Sequence, residues 1–305
     1  MSWSRATVVV LACTAALTCA WVPSGSAQTP ASVIAFDGDG RIHTVDPDGP
    51  GVAQEIVPAD EHPDAGHWAP DLSPDGAALA FARVGEDNDY EIWTMGADGS
   101  DPAQLTDGPA IDTDPDWSPD GTRIAFARMR SGTSGRPGIY VMASDGAGVR
   151  RIVDDFRYVG KPEWSPNGRR IAFSAQKNED WDVYSVRADG SRLRRVTRRF
   201  GNDLDPSWSP DGSRIAFAGY HRASRTFKSF VVEIRGGDVT RLALDGCAER
   251  CWVEGVAWSP DGTRLAVSFS HFEKGASLVT VDLATGAQEL ILTRAEDIRS
   301  LSWSS

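Results

Sequence analysis

Apolar residues along most of this chain come in short runs and not in long stripes. Val33-Ile34-Ala35-Phe36, Leu79-Ala80-Phe81-Ala82, Ile124-Ala125-Phe126-Ala127 and Leu265-Ala266-Val267-Ser268 each stand between clusters of Gly, Pro and Asp. Bulky residues alternate with alanine, so in an extended segment they point to opposite faces. Helix-period apolar stripes are hard to find, and the pattern predicts strands separated by turns. The expected class is all-β.

The turns repeat. Ser-Pro-Asp-Gly begins at Ser73, Ser118, Ser209 and Ser259, with the variant Ser-Pro-Asn-Gly at Ser165, and successive serines are 45, 47, 44 and 50 residues apart. A period in the forties with several short strands per unit indicates a propeller blade, not a helical solenoid. Proline at the second position and glycine at the fourth suit a type I turn between the first two strands of the unit. Leu72, Trp117, Trp164, Trp208 and Trp258 precede the serines, which predicts a large side chain packed between blades at the end of each innermost strand. A third strand follows, as in Glu91–Met95, Ile139–Met142 and Asp182–Val186. It runs to an Asp-Gly turn at Asp98-Gly99, Asp145-Gly146 or Asp189-Gly190, ahead of a short outer strand.

Five units are complete, and the two ends supply a sixth together. Ser300-Leu301-Ser302-Trp303-Ser304 reads as an innermost strand alone. Val33–Phe36, Arg41–Val45 and Gln54–Val57 read as the three strands that it lacks. A blade shared by both ends closes the ring and removes edges that would otherwise template aggregation. The expected architecture is a six-bladed β-propeller of four-stranded antiparallel blades, closed by the C-terminal strand.

The repeated P-x-W-S-P-D-G, followed by I-A-F, I-Y-x-M and D-G, resembles the TolB-like, WD40-like (PD40) β-propeller repeat over residues 31–305. The resemblance implies an envelope-associated propeller, without the N-terminal α/β domain through which TolB makes protein contacts. Similar repeats also form the propellers of prolyl-oligopeptidase-like peptidases and of some pectin lyases, so the fold does not fix the function.

Composition narrows the partners. With 43 acidic and 31 basic residues the formal net charge is −12. That disfavours nucleic acid or an anionic membrane as the main partner and favours cationic, peptidic or neutral ligands. At the N-terminus Arg5 precedes an apolar stretch reaching Trp21, then Gly25-Ser26-Ala27. This predicts a signal peptide over residues 1–27, cleaved after Ala27, with a propeller domain over 28–305, exported to the periplasm or the extracellular space. No membrane span is expected after cleavage. A retained anchor and lipidation at Cys13, after Val10-Leu11-Ala12, are the alternatives. Cys247 and Cys251 are expected to form a local disulfide in an oxidising compartment, the alternative being two free thiols.

No nucleophile elbow, His-Glu-x-x-His, phosphate-binding loop or dinucleotide fingerprint is present, and Gly132-Thr133-Ser134-Gly135 has the wrong spacing. Candidate chemistry lies in the loops leading into the innermost strands. Two residues before the tryptophan position stand Pro70, Pro115, Pro162 and Pro206, preceded by Ala69, Asp114, Lys161 and Asp205, with Gly255 and Ser300 in the remaining blades. Proline biases the preceding residue toward an extended backbone. On that basis Asp112 and Asp114, and Asp203 and Asp205, should point the same way and make the channel mouth acidic around Lys161. His67, Trp252, Glu254 and Arg299 stand in equivalent loops.

Such a mouth suits a cation, a metal ion or the basic part of a peptide. The plainer alternative is a structural salt-bridge network. Glu61, His62, Asp64 and His67 share one further acidic loop, read as solvated. The primary expectation is a monomeric, non-catalytic binding or scaffold propeller that recognises a peptide, protein or cell-envelope component, with no cofactor and no metal. The alternative is a lyase or hydrolase whose site is assembled from several blades.

Overall fold

The structure is a computed structural model that describes residues 32–304, apart from residue 50 and the stretches 59–65, 86–88, 131–135, 178, 199–200, 222–224, 246–250, 272–274 and 295–296. It consists of six four-stranded antiparallel sheets. Five run consecutively through residues 67–104, 110–151, 158–195, 203–241 and 251–294, here blades 1 to 5. Blade 6 joins the C-terminal strand Arg299–Ser304 to Val33–Gly38, Arg41–Val45 and Gln54–Ile56, with Val33 opposite Ser304 and Ile34 opposite Trp303. The closure read from the two ends is therefore present.

The alternation of bulky and small residues explains how blades stack. Ile124 and Phe126 of blade 2 pack against Ala80 and Ala82 of blade 1, while Ala125 and Ala127, on the other face, pack against Ile171 and Phe173 of blade 3. The same exchange recurs at Leu79 and Phe81 on Ala35, at Ile215 and Phe217 on Ala172, and at Leu265 and Val267 on Ala216 and Ala218. Phe36, Phe81, Phe126, Phe173 and Phe217 are fully buried. Large side chains pack against small ones in each wedge between sheets, as close packing requires, and truncating one of these phenylalanines to alanine is expected to cost about 3–5 kcal/mol.

The turn chemistry is uniform. In Ser118-Pro119-Asp120-Gly121 the Gly121 N–H donates to the Ser118 carbonyl at 2.8 Å. The Ser118 hydroxyl donates to Asp120 Oδ1 at 2.6 Å and accepts from the Arg123 N–H at 3.0 Å. The bonds that Asp120 accepts from Ser118 and Thr122 hold its carboxyl down at about 2. Beyond the turn, Arg123 lies 4.4 Å above the ring of Trp164 in the next blade. Arg214 over Trp258 and Arg264 over Trp303 repeat that contact.

Candidate functional site

The six innermost strands surround a channel. At its turn end, a cavity of about 340 Å³ is lined by Pro74, Pro119, Pro166, Pro210 and Pro260 and by the collar of tryptophans. Each innermost strand carries a one-residue bulge against its neighbour, between Trp68 and Asp71, Thr113 and Asp116, Gly160 and Glu163, Leu204 and Ser207, and Val253 and Gly255, with a matching one opposite Ala35 and Asp37.

The backbone at this bulge departs from the sequence-based expectation. Ala69, Asp114, Lys161, Asp205 and Ser300 have φ between 44° and 52°, the left-handed region, and four of them precede a proline. The inserted residue has to be absorbed without shifting the ladder, and a left-handed residue does this by kinking the strand. Proline fits next because the bulge leaves an N–H position without a ladder partner. Ring geometry thus overrides the local preference for an extended residue before proline.

Side chains two apart consequently diverge. His67, Asp112 and Asp203 share one position, two residues before the left-handed one, and all three are buried, like Val159, Val253 and Ile298 at the same place in the other blades. Asp112 accepts from Arg128 Nε and Nη2 at 2.6 and 2.5 Å, and His67 packs edge-on against Phe81. These residues belong to the packing between strands and do not line the mouth with Asp114 and Asp205. Trp252 lies outward, 37% exposed and against Phe227. Glu254 accepts from the Ser270 hydroxyl at 2.8 Å and sits 4.0 Å from Arg299, which also pairs with Asp297. His62, Glu61, Asp64 and Cys247 lie outside the described residues, as do residues 1–27.

Asp114, Lys161 and Asp205 do come together. Asp114 Oδ2 accepts the Lys161 backbone N–H at 3.1 Å, and the Asp205 N–H donates to Ser174 Oγ at 3.1 Å. Burial pulls the Lys161 ammonium pKa down, but Asp114, Asp205, Asp71 and Glu163 outweigh it and leave it raised. Burial pushes Asp205 up to about 6 against the pull of Lys161, with Asp114, Glu254 and Asp37 adding to the rise.

A second set of carboxylates, Asp71, Asp116 and Glu163, lines the turn-end cavity together with Lys161 and was not singled out from sequence. They follow the proline, in P-x-W at Asp116 and Glu163 and in Pro70-Asp71-Leu72 of the first blade, at a position that strand alternation turns toward the channel while its neighbours pack between blades. Each receives the backbone N–H of the next blade. Trp117 donates to Asp71 at 2.7 Å, Trp164 to Asp116 at 2.6 Å and Trp208 to Glu163 at 2.8 Å. The Ser302 hydroxyl of the closing strand donates to Asp71 at 2.6 Å and accepts from the Leu72 N–H at 3.3 Å. Burial raises all three pKa values. Glu163 reaches about 8, and Asp116 is raised well above the carboxylate range by burial and by Asp71 and Glu163 beside it. Asp37 is raised in the same way and accepts the Ala69 N–H at 3.2 Å.

The channel therefore contains two tiers of carboxylates around one amine. No group of three or more His, Cys, Asp or Glu side chains among the described residues is placed to hold a metal ion. No helix among them is long and apolar enough to cross a membrane.

No curated protein matches the chain. Among solved structures it is similar to TolB from Acinetobacter baumannii, at 18% identity and a TM-score of 0.71, covering 90% of this chain and 66% of that one. It is also similar to a chain of a nidogen/laminin complex, at 12% identity and 0.71, covering 90% and 98%. A third likeness is to puromycin hydrolase, at 17% and 0.59, covering 84% of this chain and 45% of the hydrolase. At these identities the likeness is one of fold. The TolB β-propeller domain family matches residues 62–159 and 148–305, and the chain belongs to that family.

Proposed function

We propose that this protein is an exported, non-catalytic binding propeller whose channel mouth receives a cationic segment of a peptide, protein or cell-envelope component. The observation that carries the reading is the gathering of Asp37, Asp114, Asp205 and Glu254 about Lys161, the one amine among them. A pore ringed by carboxylates with low-dielectric walls concentrates field and attracts cations. One chain of similar fold comes from a nidogen/laminin complex, which agrees with a protein ligand. Export rests on the N-terminal segment, with cleavage after Ala27, which N-terminal sequencing of the mature protein checks. The Cys247–Cys251 bridge belongs to the same reading. It is supported by the disulfide-bonded state of Cys251, a fully buried residue.

The test is fluorescence polarisation with labelled peptides of matched length that are lysine-rich, neutral or glutamate-rich. The lysine-rich peptide should bind the wild type, and more tightly as pH rises through about 6, where Asp205 ionises. The double variant D114N/D205N should lose about tenfold or more in affinity, equivalent to one charge-assisted contact. Equal binding of all three peptides, or an unaffected double variant, would rule out the mouth as the site.

A second reading has one observation in its favour. Glu163 at about 8 is a carboxylic acid still protonated at neutral pH, as general acids of hydrolases and lyases are. Turnover on a panel of pectins, glycans and peptides that disappears in Glu163→Gln would establish it.

A further inference from the structure

On an acidic protein, one blade is strongly basic. Six of the thirteen residues from 187 to 199 are arginine, and none is acidic except Asp189. The structure gathers those it describes with arginines from neighbouring segments at the turn end of blade 3. Arg170 and Arg187 stand directly opposite each other on adjacent strands, and Arg194 stands opposite Ser185, whose hydroxyl accepts from Arg170 at 3.2 Å. Arg150 reaches across from blade 2 to the carbonyls of Ala188 and Asp189 at 3.1 and 3.4 Å. Arg169 and Arg192 complete the group, both exposed.

Like charges directly opposite on a sheet are destabilising, and little here offsets them. Arg169, Arg187 and Arg192 make no ion pair or side-chain hydrogen bond among the described residues, and Arg150 and Arg194 direct their guanidinium donors to backbone carbonyls. The nearest acid, Asp189, is exposed and bonded to the Ser191 N–H at 2.8 Å. Burial and the charges of Arg194, Arg187 and Arg192 together depress the pKa of Arg170. Guarding a sheet edge against aggregation needs one or two charges, not six of one sign. The outer strands of blades 1 and 6, Ala103–Gln104 and Gln54–Ile56, carry no arginine. Between the arginines two large apolar side chains face solvent, Leu193 at 47% and Val149 at 41% exposure.

Forked guanidinium groups spread on an open rim match phosphate oxygens, bidentate where geometry allows. Two exposed aliphatic side chains set among them suit an interface whose charged layer overlies hydrocarbon. The net charge of −12 does not prevent this, because beyond about 8–10 Å the remaining acidic surface is screened at physiological salt. We propose that the turn-end rim of blade 3 docks the protein onto a lipid surface bearing net-anionic phosphate headgroups.

The experiment is co-sedimentation of the full chain with vesicles of phosphatidylcholine alone and with about one third phosphatidylglycerol. Any contribution of the N-terminal apolar stretch is common to both vesicles, so the difference between the two reads the rim. Binding to the anionic vesicles should exceed binding to the neutral ones, fall on adding salt, and drop about tenfold or more in R169E/R187E/R192E. Thermal melting of that variant should be unchanged or higher, since it removes repulsion. Should it fail to fold, R187Q/R192Q carries the same comparison with a smaller loss.

Equal binding to both vesicles, or an undiminished preference in the variants, would overturn the proposal. Full displacement from the vesicles by millimolar inorganic phosphate would reassign the rim to a free anion. Capture of polyglutamate without any vesicle preference would reassign it to an acidic protein.

Discussion

At the scale of single residues, the channel carboxylates set how stability depends on pH. Glu163 and Asp205 have folded-state values of about 8 and about 6, above the unfolded values near 4, because burial disfavours their charged forms. The native state therefore holds protons that the unfolded state has released, and stability falls as pH rises through that interval. The turn aspartates act in the opposite sense. Asp120 and Asp211, held near 2 by their serine and backbone donors, contribute stability that is lost as pH falls below about 4. The melting temperature should accordingly peak at mildly acidic pH and decline toward pH 8. In Glu163→Gln the amide oxygen can still accept the Trp208 N–H, so this variant should melt above the wild type at pH 8 and level with it near pH 4. A calorimetric series over that range checks both limbs, and a flat wild-type profile would refute the burial argument.

At the scale of strands and turns, glycines with left-handed φ separate backbone strain from crowding. Gly121 has φ 67°, and a Cβ added there would meet nothing within 4 Å, whereas at Gly99, φ 87°, an added Cβ would lie 2.1 Å from the Val57 carbonyl oxygen of the neighbouring blade. Gly121→Ala should cost about 1–2 kcal/mol, the left-handed penalty alone. Gly99→Ala should cost distinctly more and loosen the contact between blades 6 and 1. Urea denaturation of the two variants tests the difference. This is also the scale at which the sequence was most legible. Ser-Pro-Asp-Gly and Asp-Gly name their turns, and Ile-Ala-Phe-Ala names its strand and both of its faces, because each device is local. The bulge was not legible. X-Pro favours an extended residue, and the left-handed one appears only because six strands must converge on one axis. With the bulge residue left-handed, Asp112 and Asp203 lie buried in the packing layer and not beside Asp114 and Asp205. Asp71, Asp116 and Glu163 were legible in principle, as the residue after the proline in each of their strands.

At the scale of the whole molecule, the two ends of the propeller meet. Ser32, where the described chain begins, accepts a hydrogen bond from Trp303 Nε1 at 2.6 Å, and Val33 pairs with Ser304. Trp303 lines the cavity at the turn end, and Arg170 and Arg187 stand at that end of their strands. The described chain thus begins on the same side as the arginine rim, while Asp37 and Arg299 of the bulge tier line a second cavity at the opposite end of their strands, with Gly38 and Asp297. A bulky fluorescent protein fused after Ser305 should therefore obstruct vesicle binding yet leave peptide polarisation at the mouth unchanged. Obstruction of both, or of the mouth alone, would show the sides to be wrongly assigned. If the N-terminal segment tethers the chain, or if the rim alone seats it, the molecule stands in one orientation, with its rim toward the bilayer and its acidic bore facing away from it.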